Sequence, residues 1–200
     1  MNTHDILTVV KEDILRILGE EKDNGISLAC LKSEIKVSNL FMLRAVEELE
    51  RDGLIQSKGN LILLTERGWG DAEEIVRKHI FIENYFKETR SGEEAHEAAH
   101  ILEHYVSQEV IDNLKELSTF RKGGIPITKF EPDEGGVITN ITFSDSALFE
   151  RIVSMGIFPG EKIRIMDIIP GSVIVGIGGK KFALGGEIAG GIEVLGNEGA

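Results

Sequence analysis

The chain has 200 residues but one cysteine, one tryptophan, two tyrosines and four prolines. A single thiol, Cys30, excludes an internal disulfide and any zinc site built on several thiolates, and it fits a reducing cytoplasm. Long apolar runs are missing too. The segments 61–64 and 165–169 are short, and no stretch approaches the roughly 18–20 residues a bilayer span requires. The start, Met1-Asn-Thr-His-Asp5, lacks the basic and apolar regions of a secretory signal, so a cytoplasmic protein with no membrane partner is expected. Positive charge is scarce: 22 Lys and Arg face 34 Asp and Glu, a formal net charge of -12. Duplex affinity comes largely from phosphate neutralisation, so this balance opposes DNA binding unless cations are recruited. With 42% hydrophobic residues the chain can still form a core, which excludes disorder over most of its length.

Glycine divides what is there. It is sparse to about residue 120 and dense afterwards, with pairs at 123–124, 135–136, 178–179, 185–186 and 190–191. Residues 6–19 have apolar side chains at helical spacing. Ser27 caps a short helix through Ile35, and Ser38 caps a third from Asn39 to Asp52 that Gly53 ends. Segments 54–57 and 61–64 flank Lys58-Gly-Asn60 as a hairpin. This order is that of a winged helix-turn-helix over residues 1–65. Thr65 caps a long helix to about Thr89, Ser91 and Glu94 form a capping box for a helix to Val106, and Ser107 caps another to about Leu117. These make a helical domain over 66–120. Residues 118–126 read as a linker. Segments 136–141, 162–167, 173–176, 181–184 and 191–195 read as strands, interrupted by one helix over 145–155 capped by Ser144. They form a small barrel over 127–200, and the fold class is α+β.

Four of the five histidines fall in two helical clusters. His79 and Glu83 are one turn apart. His96, His100, Glu103 and His104 fit within an arc of about 100° at helical spacing. Such an arc is normally apolar; filled with imidazole and carboxylate and facing a second His/Glu pair, it suits a transition-metal site. All donors are N or O, favouring Fe²⁺, Mn²⁺, Co²⁺ or Zn²⁺ over Cu(I).

Residues 9–117 resemble the diphtheria-toxin-repressor family of metal-dependent regulators, most clearly in Arg77-Lys-His…Glu83, in His96-Glu-Ala-Ala-His-Ile-Leu-Glu-His-Tyr-Val-Ser-Gln-Glu-Val110 and in Glu50-Arg-Asp-Gly-Leu54. The resemblance implies a primary site of Asp13, His100, Glu103 and His104 and an ancillary site of His79, Glu83 and His96, with Asp145 as an additional ligand from the third domain. In iron-type members the first two primary positions hold Met and Cys. Manganese-type members have Asp at the first and a carboxylate at the second. Asp13 and His100 match neither pattern, and the harder donors lean toward Mn²⁺ or Fe²⁺. Residues 127–197 resemble the FeoA-like domain, a Src-homology-3-like barrel, through Phe149-Glu-Arg-Ile-Val-Ser-Met-Gly-Ile-Phe-Pro-Gly160. That module implies contact, either with the metal domain or with another protein.

In a winged helix-turn-helix the third helix enters the major groove. Ser38, Asn39, Phe41, Met42, Arg44 and Ala45 occupy its first turns, Arg44 suiting a guanine edge and Phe41 a thymine methyl. Lys32, Lys36 and Lys58 suit phosphates. Leu40-Phe-Met-Leu43 is unusually apolar for a groove, so some of it must pack inward. Two divalent ions would reduce the acidity from -12 to about -8. The expectation is a non-enzymatic, homodimeric, Fe²⁺- or Mn²⁺-activated repressor that binds a double-stranded operator and controls metal-ion homeostasis genes. The alternative is a metal-binding interaction protein of ferrous-iron transport without sequence-specific DNA binding.

Overall fold

The computed structural model describes residues 6–21, 25–120, 124–143 and 145–196. The chain forms two compact units, residues 1–81 and 82–200.

In the first unit, α1 (Ile6–Glu20), α2 (Leu28–Glu34) and α3 (Asn39–Arg51) are followed by β2 (Ile55–Lys58) and β3 (Leu61–Leu64). Ser27 and Ser38 cap α2 and α3 by accepting from the amides of Cys30 and Phe41. Gly53, at φ 73°, lets the chain turn out of α3 into the hairpin. A two-residue strand, β1 (Ile26–Ser27), pairs with β3, giving the order β1-β3-β2. Val10, Ile14 and Leu18 on α1, Leu31 on α2, Met42, Ala45 and Leu49 on α3, and Ile62 and Leu64 on β3 share one core. This is the expected winged helix-turn-helix. Helix α4 (Glu66–Lys87) follows, with the Thr65 hydroxyl accepting from the amide of Gly68.

The second unit carries α5 (Gly92–Leu102), α6 (Gln108–Phe120) and a six-stranded antiparallel sheet in the order β4-β9-β5-β6-β7-β8. Its strands are β4 (Ile125–Pro126), β5 (Gly135–Ile141), β6 (Lys162–Ile169), β7 (Ser172–Ile177), β8 (Lys180–Gly185) and β9 (Ile192–Gly196). Register shifts between Ile138 and Asn140 on β5, and between Ile165 and Asp167 on β6, add local twist to the sheet. Helix α7 (Ser146–Ser154) packs against α5, whose Ala95, Ala98, Ala99 and Leu102 are all buried.

The sheet is fastened to the helices that precede it. The Tyr85 hydroxyl donates to the Thr139 carbonyl at 2.6 Å. Arg90 donates to the Ile141 carbonyl at 2.5 Å while its guanidinium lies over Phe86 and Phe149. The Asn113 amide donates to the Gly160 carbonyl at 2.8 Å. Of the two contacts open to the barrel, the one with the preceding helices is formed.

Four boundaries differ from the sequence expectation. The capping-box helix ends at Leu102 rather than Val106, because Tyr105 and Val106 both return their amides to the Leu102 carbonyl. The expected linker is partly structured: α6 continues to Phe120, where no breaker precedes Gly123, and Ile125–Pro126 pairs with β9. A five-residue helix, α8 (Gly186–Gly190), sits between β8 and β9, where the sequence predicts only one helix, over 145–155, among the strands. Asp145 caps α7 by accepting from the Leu148 amide at 2.7 Å; Ser144, the expected cap, lies outside the described residues.

Candidate metal centre

The C-terminal end of α4 and the helix α5 bring five predicted ligands together within the second unit. The capping box of Ser91 and Glu94 fixes where α5 starts, and so fixes its phase. With Ala95, Ala98, Ala99 and Leu102 committed to the core, His96, His100 and Glu103 fall on a stripe about a third of a turn round the helix. Glu103 is the C-cap residue, and His104 arrives through the turn beyond it rather than through helical periodicity.

Glu83 accepts from Lys87 at 2.5 Å and lies 3.1 Å from His96 Nδ1. Burial pushes its carboxyl up, but the hydrogen bonds and charges of Lys87 and His96 outweigh that and hold it down at about 2. It is therefore a carboxylate throughout the physiological range. The His96 and His100 rings meet edge to face with centroids 4.7 Å apart. Glu103 Oε1 is 3.6 Å from both His100 Nδ1 and His104 Nε2.

A separation of 3.6 Å is too long for a hydrogen bond between those groups. It is close to the spacing of donors that share a cation at about 2.0–2.3 Å. Glu103 is also buried, its side chain only 2% exposed. One carboxylate oxygen with two imidazole nitrogens each 3.6 Å from it offers N and O donors of the kind a borderline divalent ion takes.

The remaining predicted ligands are placed as follows. His79 is 1% exposed and lies one turn before Glu83 on α4. Asp13 is half-buried on α1. Asp145 is exposed, and its carboxylate is engaged in capping α7.

The predicted DNA-facing residues divide. Lys32, Lys36, Ser38, Asn39, Arg44 and Lys58 are exposed. Met42 and Ala45 are in the core, and Phe41 packs half-buried against it. The outward apolar residues of α3 are Leu40, 75% exposed, and Leu43. The sequence could not choose among the four apolar residues 40–43, because the phase of α3 is set by its packing on α1.

Two family models match the chain. Residues 65–123 match "Iron dependent repressor, metal binding and dimerisation domain", and residues 125–195 match "FeoA domain". The chain thus joins a segment that matches the iron-dependent-repressor family to one that matches the FeoA domain. The repressor match contains His79, Glu83, His96, His100, Glu103 and His104, and the FeoA match spans β4 through most of β9. Among solved structures the chain is similar to a manganese-dependent transcriptional repressor in complex with manganese, at 20% identity over 94% of this chain and 100% of that one, with a TM-score of 0.49. It is similar to IdeR of T. acidophilum at 20% identity over 93% and 97%, with a TM-score of 0.48. It is similar to an iron uptake regulatory protein, FeoA, at 31% identity over 36% and 96%, with a TM-score of 0.33. No curated protein matches the chain. Among the described residues no helix is long and apolar enough to cross a membrane.

Proposed function

We propose that the chain is a homodimeric, metal-activated transcriptional repressor of metal-ion homeostasis genes. The observation that carries this reading is that His100 and His104 each lie 3.6 Å from the buried Glu103 carboxylate within the region that matches the metal-binding and dimerisation domain. In this reading residues 1–65 bind DNA, 66–120 bind metal and dimerise, and 127–200 brace the metal domain.

His100, Glu103 and His104 hold the primary ion, with Asp13 as the ligand from the DNA-binding part. His79, Glu83 and His96 hold the second. Asp145 is the weakest candidate, since its carboxylate already caps α7. The donors are N and O, which suits Fe²⁺ or Mn²⁺ and admits Co²⁺ or Zn²⁺ in vitro. A bound ion supplies positive charge at the buried carboxylate and a reason for α1 to adopt one orientation. Lys32, Lys36 and Lys58 meet phosphates, and Ser38, Asn39, Phe41 and Arg44 lie at or near the reading face of α3. In a dimer, fixing α1 fixes the separation of two such faces against a palindromic site. Metal binding thereby selects one of two arrangements, as an allosteric effector must.

The test is a fluorescence-anisotropy titration of operator-like duplexes from the chain's own genomic neighbourhood, with Mn²⁺ or Fe²⁺ and with chelator. Tighter binding with metal is expected. Equal affinity in both conditions would eliminate the switch and favour a metal-binding interaction protein of ferrous-iron transport.

A further inference from the structure

Glu48 lies on the inner flank of α3 and takes two cations from two helices. Arg44, one turn earlier, brings Nε to Glu48 Oε1 at 3.2 Å. Lys11 on α1 brings Nζ to Glu48 Oε2 at 3.2 Å. An i,i+4 ion pair alone is common on exposed helices and contributes little. The second leg sets this one apart. Lys11 is 37 residues away on a helix packed against α3, and the Glu48 side chain is only 17% exposed while Arg44 is 61% exposed.

We propose that Glu48, backed by Lys11, is a specificity-positioning residue that fixes Arg44 so that its guanidinium presents the two terminal nitrogens to a guanine edge. Of the guanidinium nitrogens, Nε is the one that Glu48 engages. The Nη pair is what a bidentate contact with guanine O6 and N7 uses. A long side chain held beforehand loses less rotamer freedom on docking. The trio also has a net charge of +1, so the carboxylate orients Arg44 without cancelling the positive charge that α3 offers. This explains how a reading helix whose last turns carry Glu47, Glu48, Glu50 and Asp52 still presents a cation. Because Lys11 lies two residues before Asp13 on α1, the same helix that carries the proposed metal ligand carries the support for Arg44.

This inference rests on the DNA-reading role proposed for α3, and the experiment separates the two. The Mn²⁺-loaded wild-type chain is used to select duplexes from a randomised 30-base-pair pool. Affinities for the selected duplex and for the unselected pool are then measured by anisotropy for wild type, Arg44→Ala, Glu48→Ala and Glu47→Ala. Glu47 is exposed on the same helix, and its removal changes the net charge equally. Arg44→Ala and Glu48→Ala should each reduce the ratio of selected to unselected affinity by about tenfold, the scale of one bidentate base contact. Glu47→Ala should shift both affinities together and leave the ratio intact. A Glu48→Ala chain that keeps the wild-type ratio while Arg44→Ala loses it would overturn the positioning role and leave DNA reading standing. An unchanged ratio in Arg44→Ala would overturn it as well. If no sequence is selected at all, the proposed function itself fails and takes this inference with it.

Discussion

The Arg90 guanidinium lies 4.7 Å from the centroid of the Phe149 ring, between helix α4 and the helix of the FeoA domain. It also lies 5.0 Å from the Phe86 ring, and Phe86 meets Phe149 edge to face at 5.9 Å. One cation therefore ties together two aromatics and the carbonyl of Ile141 at the end of β5. Charge over aromatic faces and a hydrogen bond to a carbonyl both gain strength as water is excluded.

Arg90→Met keeps the aliphatic stem and removes the cation. It should destabilise the full chain by about 1–3 kcal/mol. In hydrogen exchange the amides of β5 and α7 should lose protection before those of α3. Unchanged stability and protection would show that the FeoA domain is held by its apolar contacts alone.

Gly160 is a second fastening. Its φ is 87°, and an added Cβ would stand 2.8 Å from the Val110 carbonyl oxygen and 3.0 Å from Leu114 Cγ on α6. Gly156 has the same φ but nothing within 4 Å. Each alanine substitution carries a backbone cost of about 1–2 kcal/mol, and Gly160→Ala adds the clash. Urea denaturation should therefore find Gly160→Ala the more destabilised of the two by at least about 1 kcal/mol. Equal losses would mean that α6 yields freely.

These fastenings were partly legible in the sequence. The segment 149–160 marked the FeoA-like module, and contact was its expected role. Which partner it would touch was not legible, because Tyr85, Arg90 and Asn113 each reach a backbone carbonyl 47 to 54 residues away, and carbonyls carry no sequence signature. Helix α5 was legible because Ser91 and Glu94 declare where it begins, which sets the phase of His96, His100 and Glu103. Its end was not. Nothing in Leu102-Glu-His-Tyr-Val106 breaks a helix, and the turn that redirects His104 comes from amides returning to the Leu102 carbonyl. Lys11 and Glu48 went unnoticed for a similar reason: each is an ordinary helix charge until α1 packs on α3.

The depressed carboxyl of Glu83 predicts a pH window. Its folded value, about 2, lies below the ordinary 4.5. Its contribution to metal-free stability is therefore complete above about pH 4.5 and is lost as pH falls toward 2. Melting of wild type and Glu83→Gln in chelator should show wild type more stable near pH 6, with the gap narrowing steadily below pH 4.5. A gap that stays constant across that range would mean that Lys87 and His96 do not stabilise the carboxylate.

Glu103→Gln preserves shape and removes the charge that the proposed primary site needs. Mn²⁺ affinity by isothermal titration should fall at least about 100-fold. Unaltered Mn²⁺ affinity would place the ion elsewhere.

The central claim is that a divalent ion bound at His100, Glu103 and His104 acts on the DNA-binding part through Asp13. The most direct measurement is the Mn²⁺ dependence of operator affinity in Asp13→Ala beside wild type. The account predicts that the variant remains folded, that wild type tightens on DNA as Mn²⁺ is added, and that the variant does not. An Asp13→Ala chain that responds to Mn²⁺ as fully as wild type would contradict it.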